Sequence, residues 1–227
     1  MNRGEITLRV SRMLGIPVGT SDDEVDEAAL LDELANEAVL DILSRTRIHV
    51  RRAQSTLNTG STDFDISDVL TIVGGIRSIG SDGEKLMVEQ KRDELTPGGY
   101  AFAGLSRIVL GAPSTGETLD YWYVPRPTPM TLDTHDPSDR TYGRIPTEHH
   151  RAILNYMCWH AADKAGDQGA GRGEKYRTAY EGKDGFAAIG SDLGRIKTQI
   201  NFLGSKVRVG RQRETLVGDT DPSYWQG

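Results

Sequence analysis

The sequence predicts an α+β protein: a bundle of about four helices, an inserted antiparallel β domain and an extended C-terminal arm. Three observations carry this. Apolar residues recur at helical spacing near the start of the chain and again after residue 145. Between these stretches the runs are short, turns are frequent and helical periodicity disappears. Beyond residue 203 no apolar pattern is sustained. The predicted division is 1–48 for two helices, 49–142 for the β insertion with a Pro-rich strap at its end, 143–203 for two more helices, and 204–227 for the arm. The flanking helices bury their apolar stripes only against each other, so the β region is an insertion in a bundle.

The first helix is "EITLRVSRML", residues 5–14, with Ile6, Val10 and Met13 on one stripe and Leu14 beside it. Gly15 and Pro17 end it. "SDDE" at 21–24 reads as a capping box, Ser21 with Glu24. The helix that follows places Leu31, Leu34, Ala35, Ala38, Ile42 and Leu43 on one face. Acids crowd its start and Arg45 and Arg47 its end, as the helix dipole favours.

Strands are predicted at 49–57, 62–66, 69–79, 84–89 and 118–124, with a hairpin formed by 100–103 and 106–110. "NTGS" at 58–61, "SDG" at 81–83 and "TPGG" at 96–99 supply the turns. In "LDYWYVPRPTPMT", residues 119–131, Leu119, Tyr121 and Tyr123 alternate with Asp120, Trp122 and Val124, as two faces of one strand. Both faces are largely apolar, which places the strand centrally or under a second cover. Pro125, Pro127 and Pro129 cannot donate ladder hydrogen bonds, so the sheet ends there and an extended strap begins. This strand-and-strap reading is preferred to a ligand platform. Trp122 marks a subunit contact if its face is bare in the monomer.

"IPTEHHRAILNYMCWHAADKAG" starts a third helix at Pro146, with Ile153, Tyr156, Met157 and Ala161 as its stripe and Leu154 and Cys158 beside it. "GDQGAGRG" at 166–173 reads as a loop. Tyr176, Ala179, Tyr180, Phe186, Ile189, Leu193, Ile196, Ile200 and Leu203 then follow at helical spacing. The pattern fits one long helix, but Gly182, Gly185, Gly190 and Gly194 each cost about 1 kcal/mol against alanine inside a helix, so a break near 182–185 is the alternative.

Composition narrows the function classes. The chain has 27 basic and 33 acidic residues, a net charge of −6, and no global attraction to nucleic acid. The single cysteine, Cys158, excludes an intramolecular disulfide and reads as a small buried hydrophobe. The N-terminus lacks the apolar run of a signal peptide, and no stretch has the length of a membrane span. A soluble protein of a reducing compartment is expected.

Catalytic patterns are not found. "VGGIRSIGSDG" at 73–83 lacks the ending of a phosphate loop and reads as a hairpin. "GLSRI" is no nucleophile elbow. His149 and His150 are adjacent and face different sides of a helix, and with His160 they read as surface or interfacial residues rather than metal ligands. No catalytic, cofactor or metal residue is assigned. The arm holds Lys206, Arg208, Arg211 and Arg213 and ends with Tyr224 and Trp225, an aromatic pair suited to anchoring a partner. Docking on a partner and simple disorder both remain open for it.

The serial pattern resembles the head-to-tail adaptor (connector) proteins of tailed bacteriophages. It runs from "EITLRVSRMLG" through "LLDELANEAVLDIL", with Asn36, Glu37 and Ala38 in the family's Asn-Glu-Ala position. "TDFDISDVLTIVGG", "LDYWYVPRPTPMTLDTHD", "IPTEHHRAILNYMCWHAADKAGD" and "EKYRTAYEGK" continue it in order. "VLGAPSTGE" departs from the family's aromatic–Pro–x–Pro. The resemblance implies a ring, usually a dodecamer, below the portal protein and above a tail or neck protein. It implies genomic double-stranded DNA passing through the channel, no enzymatic activity and no cofactor. The alternatives are another neck, tail-completion or tail tubular protein or, from a different class, a small hydrolase with a dispersed site.

Overall fold

The computed structural model describes residues 1–15, 22–56, 62–81, 83–104, 106–111, 117–164, 170–183 and 190–200. Their contacts divide into two compact units. One holds Met1–Ile48 and the described residues from Pro127 onward; the other spans His49–Arg126. The strap residues 127–142 therefore group in space with the helices.

In the helical unit, α1 (Arg3–Leu14) begins with a capping box: the Asn2 side chain accepts from the Glu5 N–H, and the Glu5 carboxylate accepts from the Asn2 N–H. It ends at Gly15, whose φ of 72° closes the left-handed C-cap. α2 (Asp22–Thr46) buries all six predicted core residues. The capping role of Ser21 lies outside the described residues. A 3₁₀ turn (Thr147–His149) follows Pro146 and leads into α3 (His150–Lys164), which buries its whole predicted stripe. Each fully buried aliphatic side chain contributes about 1.5–3 kcal/mol, so these stripes are the main support of the bundle.

Two expectations change here. Met13 is 44% exposed rather than part of the α1 stripe, because it stands on the flank of α1 away from α2. α4 (Ala170–Glu181) starts inside the glycine-rich run read as a loop. Gly173 accommodates this: a Cβ there would lie 2.5 Å from Asp163 Oδ1, so a larger residue would have to displace the Asp163 side chain of α3. Helix α4 stops at Glu181, and Gly182 (φ 99°) breaks it, in the span where the glycine cost predicted a break. A helical stretch resumes over 192–200, its first turn capped by Ser191, whose hydroxyl accepts from the Gly194 N–H at 3.1 Å. Leu193 and Ile196 are buried on it; Phe186, Ile189 and Leu203 lie outside the described residues.

The β unit holds β1 (Arg51–Thr56), β2 (Asp63–Asp65), β3 (Val69–Gly80), β4 (Gly83–Leu86), β5 (Val88–Glu89), β6 (Gly99–Phe102), β7 (Arg107–Leu110) and β8 (Thr118–Pro125). They form two four-stranded sheets, ordered β1-β8-β3-β4 and β2-β7-β6-β5. Ile76 and Leu119 of the first sheet and Tyr100, Ile108 and Leu110 of the second share one buried cluster, so the sheets pack face to face. β8 is central, between β1 and β3. All pairs are antiparallel except β5–β6, where Val88 and Glu89 run parallel to Gly99 and Tyr100.

The turn chemistry is local. Thr96 and Gly99 close a turn with Pro97 and Gly98 at its centre, and Gly98 has φ 82°. Gly83 (φ 98°) closes the β3–β4 hairpin at the "SDG" signal. The glycines of "VGG" are not that hairpin. Gly74 (φ 77°) and Gly75 (φ 86°) make a bulge inside β3, where pairing jumps from Val73–Trp122 to Ile76–Tyr121. The "NTGS" turn lies outside the described residues.

Candidate assembly surfaces

The strap is held by side chains of α1 and α2. Asn36 sits mid-helix on α2, a position where asparagine is a poor helix former. Its Oδ1 accepts from the Met130 N–H at 2.7 Å, and its Nδ2 donates to the Met130 carbonyl at 3.2 Å. Met130 is buried. Arg3 adds a second donor to the same carbonyl, at 3.2 Å, and pairs with Asp133 at 2.7 Å and Asp32 at 3.1 Å. Burial lifts the Asp32 carboxyl above its ordinary range, against the opposing pull of Arg3. The first N–H groups of α1 donate to the strap as well, Arg3 to the His135 carbonyl and Gly4 to that of Asp133. His135 stacks on Tyr142 with centroids 4.2 Å apart.

A second lock joins α2 to α4. The buried Tyr180 hydroxyl donates to Asp41 at 2.6 Å, and Arg45 pairs with Asp41 at 2.9 Å and with Glu181 at 2.5 Å. Burial, with the Asp41 carboxylate beside it, holds the Tyr180 hydroxyl in its protonated, donating form. Tyr156 and Trp159 complete an aromatic cluster around it.

Trp122 is half-buried in the middle of β8, and its indole is not bare. Arg52 and Arg77 stand over the ring at 5.4 and 5.0 Å. Arg52 is itself fixed by a bidentate pair with the buried Asp120, at 2.8 and 2.9 Å, and Arg77 pairs with Glu84. The indole N–H is buried with no hydrogen-bond partner among the described residues. Leu119, Tyr121 and Tyr123 point to the opposite face and pack on the sandwich core.

The histidines and the cysteine have structural settings. His150 is fully buried rather than at the surface. Its Nε2 lies 3.1 Å from the Ile145 carbonyl and its Nδ1 3.1 Å from the Met1 amine, contacts that suit a neutral ring donating through Nε2. Burial, reinforced by the Met1 ammonium, pulls its pKa below the ordinary value, and burial does the same to His160. Unfolded histidine, with a pKa of about 6.5, therefore binds protons first as pH falls. The histidine contribution to stability is complete above that pH and is lost below it. The thermal midpoint should fall between pH 7.5 and 5.5, and the gap between wild type and His150→Gln should narrow over that range; a constant gap would contradict this. Cys158 is buried, and its thiol is pushed up to about 12, so it stays a protonated hydrophobe at neutral pH. Among the described residues no three His, Cys, Asp or Glu side chains group as metal ligands. No described helix is long and apolar enough to cross a membrane.

Between α1, the 3₁₀ turn, α3 and α4 lies an open groove of about 520 Å³. Met13, Leu154 and Ala179 give it apolar surface, and Arg9, Arg151 and Lys175 give it positive charge. Nothing local in the sequence marks it, because its residues are up to 178 positions apart in the chain, from Met1 to Ala179. The arm residues Lys206, Arg208, Arg211, Arg213, Tyr224 and Trp225 lie outside the described residues.

Residues 1–202 match the family model described as SU10 adaptor protein. The chain belongs to the SU10 adaptor protein family. The adaptor expected from the order of its motifs is thus shown, and the match ends just before the arm. No curated protein matches the adaptor's sequence. Among solved structures, a chain described as the neck of an empty GTA particle computed with C6 symmetry is similar at 17% identity, over 69% of the adaptor and 78% of that chain, with a TM-score of 0.27. Asn36, in the adaptor's Asn-Glu-Ala motif, is the residue that clamps the strap.

Proposed function

We propose that this adaptor is a structural virion protein that forms a ring, a dodecamer, joining the portal to the tail. It sits in the neck at the portal vertex after assembly in the host cytoplasm, with a tail or neck protein below it. Genomic double-stranded DNA passes through its channel without sequence-specific binding. Membership of an adaptor family over residues 1–202 is the observation that carries this reading. With a net charge of −6 per chain, a ring whose acids line the lumen repels the phosphate backbone and lets it slide; a strongly basic lumen would overturn this part. The role needs no cofactor, metal or catalysis.

Residues 204–227 are the portal-binding arm, with Lys206, Arg208, Arg211 and Arg213 as charged contacts and Tyr224 and Trp225 as anchors. The condition set for a subunit contact at Trp122, a bare indole face, is not met, because Arg52 and Arg77 cover the ring. Deleting 204–227 should abolish co-purification with portal while leaving the thermal midpoint unchanged. Retained portal binding by that variant would refute the role of the arm.

A further inference from the structure

We propose that the groove between α1, α3 and α4 receives the acidic start of α2 from the next copy in the ring. The contact rests on the ring proposed above. The groove has the opposite sign to the rest of the molecule. It gathers Arg9, Arg151 and Lys175 against one carboxylate, Glu148, in a chain whose net charge is −6. Among the described residues neither Arg9 nor Arg151 has an ion-pair partner. Exposed Met13 and the side chains of Leu154 and Ala179 supply an apolar floor. Cations around an apolar floor fit an acidic segment that also carries an aliphatic residue.

The chain has one segment of that kind at high density. Positions 22–27 read Asp-Asp-Glu-Val-Asp-Glu, five carboxylates around Val25. A helix dipole favours acids in the first turn, but five within six positions also repel one another, and a cationic partner relieves this.

Placement on α1 lets the two patches meet between copies. With 3.6 residues per turn, Arg9 and Met13 share one flank of α1. Thr7, which reaches Asp32 of α2 at 3.4 Å, is on the other. Groove and α2 thus occupy opposite flanks of α1, as a head-to-tail contact that closes a ring requires. The size agrees: about 520 Å³ admits a few side chains, not a whole helix.

A charge swap tests the contact. Arg9→Glu with Arg151→Glu reverses the groove, and Asp22→Lys, Asp23→Lys and Glu24→Lys together reverse the acidic segment, leaving only Asp26 and Glu27 against three lysines. Ring formation is followed by sedimentation and negative-stain microscopy, with and without portal, and folding by circular dichroism. Each variant alone should need about a hundredfold higher concentration than wild type to form rings, because like charges then face each other. An equimolar mixture should restore them, since every groove then finds an opposite partner in an alternating ring. Wild-type behaviour of both variants would overturn the groove contact and leave the ring intact. Folded variants that lose the ring without rescue on mixing would overturn the pairing of these two patches. Absence of any wild-type ring, free or on portal, would overturn the ring and this contact with it.

Discussion

An Asn36→Ala variant should unfold about 3 kcal/mol more easily than wild type, because it strips the buried Met130 N–H of its partner and removes one donor from the Met130 carbonyl. The carbonyl keeps Arg3, at 3.2 Å, but among the described residues nothing else serves the N–H. Burying one unpaired donor costs about 1–3 kcal/mol, and the lost second bond adds about 1 kcal/mol. Urea denaturation should show a lower midpoint with an unchanged slope, the sign of lost stability without a change in the surface exposed. Asn36→Asp keeps the acceptor for the N–H but loses the donor to the carbonyl, and it places a second carboxylate near Asp32. It should fall between wild type and alanine. Equal midpoints for wild type and Asn36→Ala would show that the strap is held elsewhere.

Gly111→Ala should have a comparable effect in the β unit. A Cβ at Gly111 would lie 2.1 Å from the Thr96 carbonyl oxygen and 2.7 Å from its carbon, both backbone atoms. The turn cannot easily withdraw. Gly99 donates to the Thr96 carbonyl at 2.9 Å, Gly111 donates to the Gly99 carbonyl at 2.9 Å, and the Gln90 side chain accepts from the Thr96 N–H at 2.8 Å. Overpacking at so fixed a point costs about 3 kcal/mol. Gly98→Ala is the control. Nothing lies within 4 Å of its Cβ, and only its φ of 82° resists substitution, at a cost of about 1–2 kcal/mol. Thermal melts should order wild type, Gly98→Ala and Gly111→Ala by decreasing midpoint. A Gly111→Ala midpoint at or above that of Gly98→Ala would contradict the close approach.

Much of the architecture was legible in sequence because its causes are local. Leu31, Leu34, Ala35 and Ala38 repeat at helical spacing whatever they pack on, and Pro97–Gly98 forces a turn whatever surrounds it. Tyr121 and Trp122 alternate on a strand that proved central in its sheet, and the prolines after it end that strand at Pro125. The misses come from contacts across long separations. Asn36 meets Met130 94 residues away, and Arg3 meets it 127 residues away, so the motif containing Asn36 could be matched without its task being visible. His150 reads as a surface residue beside His149 until the Ile145 carbonyl and the Met1 amine close over it. Gly74 and Gly75 resemble a turn, and only their pairing with β8 shows a bulge. A glycine-rich run reads as a loop, yet Gly173 lies in a helix, packed against the Asp163 side chain of α3. Of the candidate surfaces, Trp122 was found from its residue type, whereas the arginines on its ring and the groove beside α1 depend on tertiary packing.

The central claim is tested most directly by imaging the purified chain by electron microscopy, alone and mixed with the portal protein of the same phage. The account predicts rings seated coaxially on the portal, with an open channel. Compact monomers that ignore the portal in both samples would contradict it.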